Sequence, residues 1–261
     1  MRRHPLSFCL SRAGIFLIAL CLLAPIVVVL VISFSADSYL RFPPSSFSLR
    51  WYQRFLGDQR WRDAMVNSAV IGVMASLIST TIGFFAAYAL LRARHGIVRG
   101  LEPVFLLPLI VPHVITAIGL YFVSGKLDLI GNRAWVAAAH SVLAIPVAYI
   151  IQQSALKAMD PALERAAMVF GCSRLQVLRR VTLPLAFPAI ASAALFSFLT
   201  SFDEVVVTLF LAGVKAQTLP VRIWNSLVLE VEPTIAAVSS LFIAVTFLVL
   251  MLNRALRISR S

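Results

Sequence analysis

Long apolar runs without any Asp, Glu, Lys or Arg alternate with short polar segments along the chain. An α-helix rises about 1.5 Å per residue, so about 20 apolar residues cross a hydrocarbon core of about 30 Å. Six charge-free stretches reach that length: 13–36, 64–91, 103–125, 134–156, 181–202 and 233–253. The pattern therefore predicts an all-α integral membrane protein with six transmembrane helices.

The amino-acid composition agrees with an integral membrane protein. Hydrophobic residues make up 60% of the 261 residues and charged residues only 13%, against about 45–50% and about 25% in soluble domains. A soluble fold of this size has too little interior to hide so much apolar surface. Composition therefore excludes a soluble enzyme and a disordered chain.

The formal net charge of +12 is distributed in a way that predicts membrane topology. A nucleic-acid-binding protein gathers its basic residues on one face or in one run, whereas here they form short clusters between apolar blocks. Most of the 23 Lys and Arg residues fall in segments on the same side as the N-terminus. Cytoplasmic loops carry such an excess. We therefore predict cytoplasmic N- and C-termini, the lipid bilayer as the surrounding medium, and no nucleic-acid partner.

These segments define the predicted organisation of the chain. The basic start resembles that of a signal peptide, but the apolar run that follows exceeds the roughly 7–15 residues of a cleavable signal, so it is interpreted as a retained anchor. The prediction comprises a cytoplasmic tail, an anchor helix, an external loop, a transmembrane core and a second cytoplasmic tail. Their limits are 1–13, 14–36, 37–63, 64–253 and 254–261.

Residue patterns for chemistry are absent from the sequence. The three cysteines are isolated and show no metal or redox spacing, and the chain has no H-E-x-x-H, G-x-S-x-G or phosphate-binding loop. His113 and His140 stand alone in apolar helices and are interpreted as hydrogen-bonded residues of a helix bundle. We therefore predict no catalytic residue, no metal site and no cofactor in this chain.

The segment 153–182 is longer than an ordinary connection between bundle helices. Asp160 suits the cap of a helix that begins at Pro161, and Glu164 is favoured by the dipole of its first turn. Gly171 suits the left-handed residue that ends this helix. The segment therefore predicts a first short helix with Gly171 as a hinge.

A second short helix follows the hinge. Ser173 and Gln176 have the spacing of a capping box, and Leu183-Pro184 is predicted to close the helix. Apolar residues share one side of each helix: Leu163, Ala167 and Phe170, then Leu175, Leu178 and Val181. Two interpretations remain open at this point: an amphipathic segment on the inner membrane surface, or a docking element for a protein partner.

The same segment resembles the EAA motif of binding-protein-dependent ABC importer permeases. Ala166-Ala167 is followed by three residues and Gly171, and nine more residues lead to Val181-Thr182-Leu183-Pro184. The departure is Arg165, which directly precedes Ala166 and displaces Glu164 by one position. Because of that shift, the motif does not predict which residue Glu164 contacts. The spacing of the other motif positions is intact.

Further segments resemble the polyamine-type branch of these permeases, so the resemblance covers nearly the whole chain. These segments are Ser48-Leu49-Arg50-Trp51-Tyr52, Asn67-Ser68, Pro108-Leu109-Ile110-Val111-Pro112, Ser201 to Val207, Thr218-Leu219-Pro220 and Ile223-Trp224.

The resemblance implies a type I ABC importer permease fold in the bacterial inner membrane. The chain would form half of a translocation path, together with a second permease subunit in a hetero-dimer. A dimer of ATP-binding subunits would hydrolyse ATP with Mg²⁺, and an extracytoplasmic binding protein would deliver the solute. The resemblance also implies that coupling to the ATPase runs through a set of residues in the 153–182 segment and just beyond: Asp160, Glu164, Ala166, Ala167, Gly171, Leu175, Leu178, Leu183 and Pro184.

Asp203 and Glu204 interrupt an apolar run, in the outer half of the predicted fifth helix. An ionised group in the bilayer centre costs at least about 2.5–3.5 kcal/mol, so such residues usually face water or a bundle interior. The pair lines the substrate pathway, or it is structural: it caps a break in the helix or sits at the outer end of the helix, salt-bridged to a loop Arg. Adjacent helical residues point about 100° apart, so one of the two is expected to face a cavity.

The solute is predicted only by its charge. Carboxylates suit a cation such as spermidine or putrescine, in agreement with the branch that the chain resembles. Thiamine, ferric iron and aminoalkylphosphonates remain alternative solutes for the same type of permease. A stand-alone carrier or channel is a further alternative, but it has no need of a docking segment.

Overall fold

The structure, a computed structural model, describes residues 5–93, 100–229 and 233–258. These residues are almost entirely helical, with a single isolated bridge between Ser35 and Phe47 within them, which confirms the all-α prediction. The α-helices are α1 Pro5–Ser33, α2 Arg50–Gly57, α3 Gln59–Arg92, α4 Glu102–Leu106, α5 His113–Leu127, α6 Arg133–Ala158, α7 Pro161–Val169, α8 Arg174–Val177, α9 Leu183–Phe202, α10 Val206–Leu211, α11 Leu219–Leu229 and α12 Thr234–Ile258.

Four helical segments of the described residues are long and apolar enough to cross a membrane: Gly14–Ser33, Gln59–Arg92, Arg133–Ala158 and Arg174–Phe202. They coincide with the first, second, fourth and fifth predicted spans. The sixth predicted span lies in α12, whose described apolar part, Thr234–Leu248, is shorter than a full crossing. Six crossings and cytoplasmic termini therefore stay predictions.

The third predicted span is a broken helix rather than one continuous rod. After α4, a 3₁₀ turn at Leu107–Leu109 leads to α5, and the two parts of the span are bent by 102°. Pro108 and Pro112 explain the break, because neither offers an N–H to the helix ladder. Pro112 stands at φ −54°, ψ 131°, outside the helical region. If this bent pair is one span, the described residues contain five helical segments that are long and apolar enough to cross a membrane.

The external loop 37–63 stays a prediction; its residues include α2 and the start of α3 at Gln59. One predicted helix end is wrong. Leu183-Pro184 does not close the second short helix: α8 continues through a π-helical turn, Leu178–Thr182, into α9. Pro184 is the second residue of α9, two positions after the last residue of that turn.

The chain divides into two compact units, Met1–Arg62 with Ile223–Val245, and Asp63–Arg222 with Thr246–Ser261. Within the first unit, the hydroxyl of Tyr52 bonds with Ser33 at 2.8 Å and with Ser240 at 2.7 Å. This hydroxyl therefore ties α1, α2 and α12 together.

The second unit contains two apolar clusters. One includes Ile71, Ala117, Val136, Val207 and Leu211. The other includes Phe84, Ala87, Tyr149, Leu156 and Ala186. Close helix packing is visible at Gly83, where a Cβ atom would lie 2.9 Å from the backbone nitrogen of Tyr149. The second unit contains the 153–182 segment and the Asp203–Glu204 pair, which are the two candidate functional sites.

Candidate functional site

The predicted caps of the 153–182 segment are present, although its first residues belong to α6, which runs to Ala158. The Asp160 carboxylate accepts a hydrogen bond from the Ala162 N–H at 2.8 Å and begins α7. The Ser173 N–H donates to Gln176 Oε1 at 2.8 Å, while the Gln176 N–H donates to Ser173 Oγ at 3.4 Å. The capping box is therefore confirmed.

Gly171 ends α7 in the left-handed conformation, with φ of +88°. The Cys172 N–H donates to the Ala167 carbonyl and the Gly171 N–H to the Met168 carbonyl, both at 3.0 Å. These two bonds satisfy carbonyl groups that the helix end leaves open. The predicted hinge is therefore a sharp, hydrogen-bonded turn between α7 and α8.

Glu164 faces the interior of the second unit and is only 8% exposed. Arg92 at the end of α3 donates from Nε to Oε2 at 2.8 Å and from Nη2 to Oε1 at 2.6 Å. The Thr182 hydroxyl in the π turn donates to Oε1 at 2.9 Å. Burial raises the pKa of Glu164, but the bonds from Arg92 and Thr182 outweigh it and hold the pKa below its ordinary value. The carboxylate is therefore ionised at neutral pH.

The opposite side of the segment presents an apolar surface to solvent. Val169 is 84% exposed and Phe170 88% exposed. We call the exposed apolar side chains of α7 and its C-terminal turn the apolar face: Leu163, Val169 and Phe170. Soluble surfaces rarely expose apolar side chains in a contiguous group unless a partner covers them.

The other residues predicted for coupling are divided between the surface and the interior. Ala166 and Pro184 are exposed and Ala167 is half-buried. Leu178 and Leu183 pack against the second apolar cluster instead of the outer surface. Sequence reasoning missed Val169, because the helical spacing that selected Leu163 and Phe170 passes over it.

The acidic pair lies at a break in the helix rather than within it. α9 ends at Phe202, and Asp203 is its exposed C-cap residue. Glu204 is 6% exposed. Its Oε1 accepts the Val207 N–H at 2.9 Å at the start of α10, and its Oε2 lies 3.1 Å from His113 Nδ1. Glu204 therefore caps a break, as one interpretation held, but the described partner is His113 and not a loop Arg.

The side chain of His140, on α6, contacts residues on both sides of the same break. Its Nδ1 lies 2.8 Å from the Ser201 hydroxyl in α9, and its Nε2 lies 2.9 Å from the Thr208 hydroxyl in α10. The ring is fully buried. This confirms the interpretation of His140 as a hydrogen-bonded bundle residue, whereas the His113 side chain is 48% exposed and lies beside Glu204. Among the described residues, no group of three or more His, Cys, Asp or Glu is placed to hold a metal ion.

Comparison with known proteins gives these sites a context. Residues 79–259 match the family described as binding-protein-dependent transport system inner membrane component. The chain is 29% identical over 247 residues to the spermidine/putrescine transport system permease protein PotC of Haemophilus influenzae, covering 95% of this chain and 96% of that protein. It is 31% identical over 231 residues to the putrescine transport system permease protein PotI of Escherichia coli, covering 85% and 81%.

A solved structure supports the fold. The chain aligns with a bacterial alginate ABC transporter in complex with an alginate pentasaccharide-bound periplasmic protein. The TM-score is 0.74 at 16% identity, and the alignment covers 95% of this chain and 92% of that one. At this identity the similarity concerns the helical architecture alone.

Proposed function

The chain belongs to the family of binding-protein-dependent transport system inner membrane components, and from this premise we propose that it moves a small cationic solute such as spermidine or putrescine. It is the permease subunit of an ABC importer and a multi-pass protein of the bacterial inner membrane. Its role is transport, and we assign ATP hydrolysis with Mg²⁺ to a separate pair of ATP-binding subunits.

The proposed assembly has six transmembrane helices with both termini in the cytoplasm. Residues 14–36 would anchor the chain, residues 64–253 would form the permease core, and a second permease subunit would complete the path. An extracytoplasmic binding protein would present the solute on the outer side. The alginate transporter bound to a periplasmic protein is a precedent for that last partner on the same fold.

We propose that the ATP-binding subunit docks on the apolar face of the 153–182 segment. The observation that carries this proposal is the exposure of Val169 and Phe170 on an element that is rigidly capped at both helices. A capped helix with an exposed apolar end loses little conformational entropy when a partner covers it. A stand-alone carrier offers no reason for this surface.

The proposed solute rests on two supports. PotC and PotI carry polyamine solutes in their names, and Asp203 offers an exposed carboxylate at the break between α9 and α10. A carboxylate in a water-lined path attracts an ammonium group. Because Glu204 is committed to capping α10, we assign the pathway contact to Asp203 and the shaping of the break to Glu204.

The proposed function is tested with the complete importer, made by coexpressing this chain with its partner subunits and binding protein in cells that lack their own polyamine uptake. We expect ATP-dependent accumulation of radiolabelled spermidine or putrescine, and none when this chain is omitted. Competition with unlabelled thiamine, ferric iron and aminoalkylphosphonate reports the alternative solutes. Uptake that persists without the ATP-binding subunits would mean a carrier, and the importer assignment would fail.

Gly171 provides a test of the hinge. The Gly171→Val variant places a β-branched residue at a φ of +88°, at a cost of about 1–3 kcal/mol of backbone strain. A Cβ atom here would meet nothing within 4 Å, so a clash does not contribute. We expect normal insertion but reduced solute-stimulated ATP hydrolysis and uptake. Gly171→Asn is the matched control, since Asn tolerates the left-handed conformation; equal loss in both variants would contradict the strain argument.

A further inference from the structure

Three elements of the second unit meet at one buried carboxylate. Glu164 comes from α7, Arg92 from the last turn of α3, and Thr182 from the π turn that leads into α9. Arg92 and Glu164 are 72 residues apart in the sequence, and Glu164 and Thr182 are 18 apart. We call Arg92, Glu164 and Thr182 the latch.

The geometry of the latch is specific. Arg92 grips both carboxylate oxygens through two donors, the bidentate arrangement that fixes direction as well as distance. The π turn changes the helical register immediately before α9, and its last residue is Thr182. π turns are rare and are frequently found at functional sites. The last residue of this one, Thr182, carries the hydroxyl that donates to Glu164.

Apolar packing alone does not hold α7 and α8 to the end of α3. A cleft of about 880 Å³ opens here. It is lined by residues of both sides, among them Tyr88 and Ala89 on α3 and Met168 and Leu175 on the opposite side. Arg92 and Glu164 both line this cleft and are joined by their ion pair. The Glu164 side chain is only 10% exposed, so breaking the pair leaves a largely buried carboxylate without its partner, which costs more than losing a fully exposed contact.

We propose that the latch is a positioning device for coupling. Its contacts fix α7 relative to α3 and α9. When the ATP-binding subunit displaces the 153–182 segment, α3 and α9 therefore move with it, and the segment does not bend by itself. This inference rests on the proposed docking of the ATP-binding subunit to the apolar face. Glu164 thereby serves the interior of the permease and not the partner, in line with its shift by one position from the first letter of the EAA pattern.

The test uses the complete importer reconstituted with its binding protein and measures ATP hydrolysed per solute imported. The variants are Glu164→Gln, Arg92→Met, Thr182→Val, and the charge reversal that combines Arg92→Glu with Glu164→Arg. Lys126→Met is the matched control, because it removes an exposed cation in the last turn of α5, outside the 153–182 segment. Copurification of the ATP-binding subunits is recorded for every variant, so that assembly and coupling are measured separately.

We expect Glu164→Gln and Arg92→Met to keep the ATP-binding subunits and continue to hydrolyse ATP, while the ATP used per solute rises at least about fivefold. Thr182→Val should raise this ratio less, since it removes one bond, and Lys126→Met should leave it unchanged. Reversing both charges should bring the ratio back towards that of the unmodified importer.

Two outcomes overturn the latch. One is an unchanged ratio in both Glu164→Gln and Arg92→Met, in an importer that otherwise couples normally. The other is loss of assembly in both variants that the charge reversal does not restore, which would make the three residues merely structural. If the unmodified chain fails to retain the ATP-binding subunits at all, the proposed docking fails, and this result is distinct from either of the two.

Discussion

Replacing Phe170 by Asp is expected to weaken the binding of the ATP-binding subunits to this permease by about 30-fold or more, a loss of at least about 2 kcal/mol. The side chain is 88% exposed in the isolated chain, so a partner gains nearly its whole apolar area by covering it. An Asp at the centre of that contact adds an unpaired buried charge to the lost area. Neighbouring Val169, 84% exposed, should respond to Asp in the same direction.

The measurement is retention of the ATP-binding subunits in mild detergent, followed by titration of the purified subunits onto the permease. Val214→Asp is the matched control for Val169→Asp, because Val214 is 94% exposed but lies outside the 153–182 segment. That control should bind normally. Unchanged binding by Phe170→Asp would remove the apolar face as the docking surface and favour the other interpretation, an amphipathic segment lying on the membrane.

The caps of the 153–182 segment were predictable because they depend on local chemistry. Asp160, Gly171 and the Ser173–Gln176 box act on backbone groups within a few residues, so their spacing in the sequence is their geometry in the structure. The continuation of α8 into α9 was not predictable in this way. A π turn leaves no residue signature, and Pro184 alone suggested an end.

The breaks in the transmembrane helices show a second limit of the sequence. Charge-free length locates apolar segments but carries no information on where a helix turns inside them. Pro108 and Pro112 lack the N–H of the helix ladder, but this chemistry does not give the bend of 102°. The break after Phe202 is held by His140, which reaches Ser201 and Thr208 from another helix. Such a contact joins residues that are distant in the sequence, so neither helix propensity nor residue spacing can predict it.

Long-range pairing also explains why the candidate sites were predicted only in part. Glu164 was selected from its place in a helix, but its partner Arg92 lies 72 residues earlier. The acidic pair was selected because carboxylates are costly in an apolar run. That argument treats Asp203 and Glu204 alike, whereas the structure separates them by burial and by the Val207 N–H that Glu204 accepts. Their different roles lead directly to different expectations.

Asp203→Asn is expected to lower uptake of radiolabelled polyamine by roughly 5- to 150-fold, the equivalent of a water-lined carboxylate–ammonium contact of about 1–3 kcal/mol. The variant keeps the shape and the hydrogen-bonding capacity of the side chain and removes only its charge. Retention of the ATP-binding subunits should be normal, because the docking segment and Asp203 are proposed to lie on opposite sides of the membrane. Asp128→Asn, another exposed Asp that follows a helix end, is the matched control.

Glu204→Gln should behave differently. Its amide oxygen can still accept the Val207 N–H and preserve the start of α10, so only the carboxylate's contact with His113 is lost. We therefore expect a smaller loss of uptake than in Asp203→Asn, whereas Glu204→Ala, which removes the cap, should lower the amount of assembled importer. Uptake within twofold of normal in Asp203→Asn would contradict the pathway role of Asp203 and, with it, the charge-based reason for a cationic solute. A larger loss in Glu204→Gln than in Asp203→Asn, with assembly intact, would transfer that role to Glu204.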